Sequence, residues 1–193
     1  MMSKKILILL GNSDIQTFSA TIVDRYQTAA QDAGHEIVRI NIGEMDFDPI
    51  LHKGYTVIQE LEPDLVNFQE KIMWADHFVV VYPNWWCTMP AILKGLFDRI
   101  WLPGFAFNFD KQTLKCVRHL RGKTGRVIIN AGTHGPFKTW WLFGDYTNEI
   151  QHGILGFAGM DASVSSFGPT KKASQEKKEQ WLTTVDKLGR KGI

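Results

Sequence analysis

The sequence predicts an α/β fold built on a parallel sheet with helices on both faces, and two observations carry that prediction. Near-continuous apolar runs recur along the chain, and each is followed by a stretch in which apolar residues return at helical spacing. Strands buried on both faces lose the in-out alternation of a half-exposed sheet, so uninterrupted apolar runs mark a sheet covered on each side. A chain of 193 residues with 44% hydrophobic content can bury one core and is short for two sizeable ones, so residues 1–193 are read as one domain.

The run KKILILL, 4–10, is the first strand. Phe18, Ile22, Tyr26, Ala29 and Ala33 follow at helical spacing until Gly34 stops them. HEIVRINI, 35–42, gives the second strand. Pro63, suited to the first turn of a helix, opens a segment with Leu65, Phe68 and Ile72 on one face. HFVVVYP, 77–83, is the third strand and is fully apolar in its middle. PAILKGLFDRIW, 90–101, is the next helix; after the mixed loop KQTLKCVRHLRGK, the run RVIINAG, 126–132, forms the fourth strand. A helix over about 146–158 leads to DASVSSFG, 161–168, the fifth strand. The last helix begins near Ser174, with Glu176 and Glu179 early and Lys187, Arg190 and Lys191 late, where the helix dipole favours each charge. Trp181, Val185 and Leu188 form its core stripe.

Composition excludes several partners. Lys and Arg (22) nearly balance Asp and Glu (20), so no overall field gathers nucleic acid or an anionic membrane. Cys87 and Cys116 make neither a disulfide framework nor a CxxC pair, which points to a reducing compartment. The apolar stretch Ile6–Leu10 is shorter than a signal-peptide core and is broken by Gly11-Asn12-Ser13-Asp14, so a cytoplasmic location is expected. No stretch approaches the ~20 apolar residues of a membrane span. His35, His52, His77, His119, His134 and His152 show no ligand spacing with one another or with the cysteines, so no metal site is expected.

In an open parallel sheet the ligand crevice lies beyond the carboxyl ends of the strands. Three loops converge there: GNSDIQTFS (11–19), PNWWCTM (83–89) and AGTHGPFK (131–138). The first runs into a helix N-terminus, where free N–H groups and the dipole favour a phosphate, and Ser13, Gln16, Thr17 and Ser19 add side-chain donors. An ordinary polar turn with an N-cap has the same appearance. Neither GxGxxG nor GxxxxGK[ST] is present, which disfavours a dinucleotide Rossmann site and a P-loop. The second loop offers Trp85 and Trp86 as an aromatic wall, although large aromatics mostly serve packing. The third places Gly132 and Gly135 around Thr133 and His134, leaving unhindered N–H groups for negative charge on a planar ligand, or simply a glycine-rich turn.

The run YPNWWCTMPAILKGLFDRIWLPGFAF, 82–107, resembles the central signature of the flavodoxin-like NAD(P)H:quinone oxidoreductases. That group includes mammalian quinone reductases, bacterial modulators of drug activity and ancillary proteins of potassium-efflux systems. Asp46-Phe47-Asp48-Pro49, Pro63-Asp64-Leu65, HGILGFAGM and SFGPTKKAS extend the resemblance over nearly the whole chain. It implies a flavodoxin-like five-stranded parallel sheet of order 2-1-3-4-5.

The resemblance also implies a bound flavin. Asn12, Gln16, Phe18 and Ser19, with Ser13 beside them, fall where the family holds the phosphates and ribityl chain, and Gln69 falls where some members contact the adenosine of FAD. Pro83, Asn84, Trp85, Trp86 and Cys87 match the loop bordering the isoalloxazine; Asn130, Ala131, Gly132 and Thr133 match the loop at its pyrimidine end. Asn12 and Ser19 depart from the family's usual histidine and asparagine. Phe137 and Phe143 stand where quinone reductases carry a Tyr and a His, and neither ring exchanges a proton; His134 is the nearby group able to act as the catalytic acid or base. Trp86, Phe137 and Trp140 suggest a flat slot for stacking the substrate.

The implied activity is ping-pong hydride transfer from NAD(P)H through the flavin to quinones or similar small aromatic acceptors. Gln69 leans toward FAD and the lack of a long C-terminal extension toward FMN. A homodimer is expected, since family members commonly pair. Two alternatives stay open: a flavin-binding ancillary subunit that partners a membrane transport protein, and a non-enzymatic electron carrier. A phosphorelay receiver is disfavoured because Pro83-Asn84 occupies the strand end where it needs an Asp, and only Asp14 lies near the first strand.

Overall fold

The structure, a computed structural model, describes residues 2–193, Phe143 by its backbone alone. The chain runs β1 (Lys5–Leu10), α1 (Phe18–Asp32), β2 (Glu36–Asn41), α2 (Pro63–Trp74), β3 (His77–Asn84) and α3 (Ala91–Ile100). It continues through β4 (Phe107–Phe109), β5 (Cys116–Arg118), β6 (Thr124–Ala131) and α4 (Pro136–Phe143). A π-helix (Glu149–Gly156), β7 (Asp161–Phe167) and α5 (Gln175–Lys191) complete it. Strands β2-β1-β3-β6-β7 form one five-stranded sheet whose neighbours are all parallel. With the separate β4-β5 hairpin set aside, this is the order 2-1-3-4-5.

The sheet alternates as a doubly covered sheet must. Leu7, Leu9, Phe78, Val80, Val127 and Ile129 pack with Leu65, Phe68 and Ile72 of α2 and with Leu93 and Leu96 of α3. Their neighbours Ile6, Ile8, Val79, Val81 and Ile128 pack on the other face with Ile22, Val23 and Tyr26 of α1 and Leu182 and Val185 of α5. Trp181 and Leu188, expected in the α5 stripe, are only partly buried against that core, while Leu182 and Gly189 take the buried positions beside Val185. Thr17 caps α1 by accepting from the Ala20 N–H, and Ser174 caps α5 by accepting from the Lys177 N–H.

Three elements differ from the sequence expectation. Residues 107–118 contain a hairpin pairing Phe107 with Arg118 and Phe109 with Cys116, whose strands are too short to show a period. Pro136–Lys138, read as the end of the loop 131–138, open helix α4, PFKTWWLF. The helix expected over 146–158 is wound as a π-helix, with the Phe157 N–H donating to the His152 carbonyl five residues back at 3.0 Å. No helix among the described residues is long and apolar enough to cross a membrane.

Candidate functional site

The loops leaving β1, β3 and β6 at their carboxyl ends enclose a continuous cleft. One cavity of about 500 Å³ lies over Asn12, Thr17, Phe18, Ser19 and Asn130. A second of about 520 Å³ adjoins it through the shared residues Asn84, Trp86, Gly132 and Thr133 and reaches Cys87, Ala131, His134 and Thr139. Pro83 and Trp85 line the first cavity as well.

Local chemistry explains each wall. The Asn12 side chain is 3% exposed; its Nδ2 donates to Thr17 Oγ1 at 3.2 Å and its Oδ1 has no partner. Asn130 Nδ2 donates to Ser19 Oγ at 2.6 Å in the interior, tying the end of β6 to the start of α1. The N–H groups of Phe18 and Ser19 find no acceptor among the described residues, and no acidic side chain sits in the first turn of α1. The positive end of that helix therefore faces the cleft. Glycine at position 43 lets the chain after β2 support this loop from below: a Cβ there would stand 2.2 Å from the Ser13 carbonyl oxygen.

The Trp wall is a strained turn. Trp85 and Thr88 exchange backbone hydrogen bonds of 3.0 and 3.1 Å, and the two residues between them, Trp86 and Cys87, have φ of 55° and 64°. Two-residue hairpin turns with positive φ at both centres normally carry Asn-Gly. Here the conformation holds Trp86 97% exposed along the cleft. Thr88 Oγ1 donates to Glu149 Oε2 at 2.9 Å, which anchors the turn to the π-helix. Asn84 Oδ1, just before the turn, is buried without a partner.

On the opposite wall His134 lines the second cavity, its Nδ1 3.1 Å from Thr133 Oγ1. The following helix α4 presents Phe137 (76% exposed), Trp140 and Trp141 outward, with the Phe137 and Trp140 rings 6.4 Å apart. Neither Phe137 nor Trp140 lines the two cavities, and the Phe143 side chain lies outside the described residues.

Ser13 and Gln16 are exposed and do not line the cleft; the Gln16 N–H donates to Asp14 Oδ1 within the loop. Gln69 stands apart as well. It lies on α2 and its Nε2 donates to the Ile100 carbonyl at 2.9 Å, satisfying an open carbonyl at the end of α3 rather than reaching the cleft of its own chain. Two residues lining the first cavity were not anticipated, Thr170 and Lys171. They sit in the motif SFGPTKKAS, and only the fold brings them to the cleft, because their N–H groups donate to the carbonyls of Ala131 and Gly132 at 2.9 and 3.0 Å. Among the described residues no group of three or more His, Cys, Asp or Glu side chains is placed to hold a metal ion.

A family model described as the flavodoxin-like fold matches residues 4–187. The chain belongs to that family. Among curated relatives of this flavodoxin-like chain, rat ribosyldihydronicotinamide dehydrogenase [quinone] is 32% identical over 66% of this chain and 57% of its own length. Rat NAD(P)H dehydrogenase [quinone] 1 is 27% identical over 81% of this chain and 65% of its own. The flavodoxin-like chain thus spans less than two thirds of either relative. The crystal structure of Smu.1420 from Streptococcus mutans UA159 superposes with a TM-score of 0.81 at 26% identity, covering 97% of this chain and 99% of that one.

Proposed function

We propose that this protein is a flavin-dependent NAD(P)H oxidoreductase that reduces quinones or similar small aromatic acceptors. The observation that carries the reading is the cleft itself, where an aromatic wall held in a strained turn adjoins a helix N-terminus with two open amides. The names of the rat relatives support the same reaction class.

The residues fit a flavin. The open Phe18 and Ser19 amides suit a phosphate, the orphaned acceptors Asn12 Oδ1 and Asn84 Oδ1 suit hydroxyl or imide donors, and Trp86 suits a planar ring. When bound, a flavin would supply the hydride chemistry between NAD(P)H and the acceptor, in the ping-pong order that the family resemblance implies. Trp85 and Trp86 would border its ring, and the backbone of Ala131, Gly132 and Thr133 would meet its polar end. His134 is the cleft group we assign to hold or move a proton, with Thr133 Oγ1 orienting its Nδ1. The exposed aromatic residues of α4 form an apolar patch that supports a homodimer, in which Phe137 and Trp140 would face the acceptor.

Steady-state turnover tests the reading. Wild-type protein supplied with FMN or FAD oxidises NADPH or NADH in the presence of a small quinone, and initial velocities at several fixed quinone concentrations give parallel double-reciprocal lines. Flavin binding with no turnover on any quinone would instead support the ancillary or carrier role.

A further inference from the structure

We propose that Lys171 is the cation that anchors the phosphate of the ligand in the cleft, opposite the N-terminus of α1. The proposal rests on the flavin reading and adds to it a residue that the flavodoxin-like resemblance did not mark. Among the described residues Lys171 is the one charged side chain lining the first cavity. Its ammonium group enters no hydrogen bond or ion pair with them.

Its position is fixed by the fold. The backbone bonds from Thr170 to Ala131 and from Lys171 to Gly132 lace the loop after β7 to the loop after β6. The side chain then runs along Gly132, where an added Cβ would lie 3.5 Å from Lys171 Cε and 3.8 Å from Cδ. Lys171 and Lys172 are both exposed, and of the two only Lys171 lines the cavity.

Facing the same cavity, α1 offers the open amides of Phe18 and Ser19 with no acidic residue in its first turn. A helix N-terminus alone would say little. Here the 97% buried carboxamide of Asn12 also lines the cavity with Oδ1 unpartnered, an acceptor placed for a hydroxyl of a polyol chain. Two sources of positive potential and a polyol acceptor share one cavity that no carboxylate lines. The chemistry they match is a phosphoester at the end of a hydroxylated chain.

FMN and riboflavin differ only in that phosphate, so their affinities for the full chain separate this role from ring contacts. With Lys171→Gln, FMN binding weakens about tenfold, the scale of one charge-assisted contact near solvent, and riboflavin binding is unchanged. Lys171→Arg restores FMN affinity, Lys172→Gln behaves as wild type, and FMN binding by Lys171→Gln falls less steeply with salt. Equal losses for FMN and riboflavin would overturn the proposal in favour of a ring contact. No loss for either would also overturn it, as would a raised KM for NADPH at unchanged FMN affinity, which would move the phosphate contact to the reductant. If wild-type protein bound neither flavin, the flavin reading would fail separately and pyrophosphate alone would test the anchor. Greater thermal protection by pyrophosphate of wild type than of Lys171→Gln would then support it, and equal protection would overturn it.

Discussion

Replacing the Trp86-Cys87 pair by Asn-Gly should stabilise the fold and weaken flavin binding at once. Both residues occupy the left-handed region, with φ of 55° and 64°, where a residue with a Cβ costs roughly 1–2 kcal/mol. Asn and Gly adopt that region readily, although Gly gives back about 0.5–1 kcal/mol through the freedom of the unfolded chain. Trp86 is 97% exposed, so its removal sacrifices little burial. The expected net gain is about 1 kcal/mol, or roughly 2–4 °C in Tm for a chain of this size. The Thr88–Glu149 contact is untouched by the exchange and keeps the turn in place. Trp86 lines both cavities, and an aromatic stacking partner is worth about 1–3 kcal/mol, so flavin affinity should fall about tenfold or more. Urea unfolding of the apo-protein and a fluorescence titration of flavin read the two effects separately. A less stable variant would refute the strain argument, and unchanged flavin affinity would remove Trp86 from the site.

Gly43→Ala forces a Cβ to within 2.2 Å of the Ser13 carbonyl oxygen, so the loop before α1 must shift and flavin affinity should fall even when far-UV circular dichroism is native; unchanged affinity would show that the loop does not hold the ligand. Arg99 is 1% exposed and holds Glu62 at 2.8 Å together with the Glu60 and Asp48 carbonyls, so Arg99→Ala, which strands those acceptors, should cost about 2–3 kcal/mol in urea unfolding. A loss below about 1 kcal/mol would mean that the 46–62 segment is held by other contacts. Burial, with the charges of Lys4 and Arg126 and the nearby His35, pushes His77 down to about 3. Unfolded His77 titrates near 6.5 and takes up a proton that the folded state refuses. Stability is therefore full above that pH and declines as pH falls toward 3, by about 1.4 kcal/mol per unit from this group alone. His77→Phe should flatten the difference profile between pH 6.5 and 5, and a parallel profile would show that His77 does not carry the effect.

The sheet was legible because burial on both faces writes itself into composition: the stretches ILILL within KKILILL and FVVV within HFVVVYP leave no polar position for solvent. Helices α1, α2 and α5 were legible because one face of each meets the core, as with Leu65, Phe68 and Ile72. Helix α4 was not. Phe137, Trp140, Trp141 and Leu142 are all exposed, so apolar residues there track no buried face, and Gly135 supplies no side-chain cap. The π-winding after it leaves no mark in a 3.6-residue pattern, since its apolar residues still recur close to helical spacing.

At the site, residues on the three converging loops could be named from strand ends alone, and Asn12, Ser19, Trp86 and Thr133 do meet there; Asn130, at the end of β6, joins them but was marked only by the resemblance. Ser13 and Gln16 share the first loop but point to solvent, a distinction that depends on the Asp14 turn and not on residue type. Gln69 was placed by resemblance only, and within one chain its amide is spent on α3. Lys171 escaped notice because its relation to Gly132 is set by pairing between the loops after β6 and β7, which neighbouring residues in the sequence do not reveal.

The most direct test of the central claim is an anaerobic titration of the purified protein with FMN and then FAD, followed by addition of NADPH and a quinone. Stoichiometric quenching of flavin fluorescence, bleaching of the bound flavin by NADPH and recovery of its absorbance on adding quinone are the predicted results, and the tighter of the two flavins names the cofactor. Failure to bind either flavin would contradict the account at its base, leaving the fold without the proposed activity.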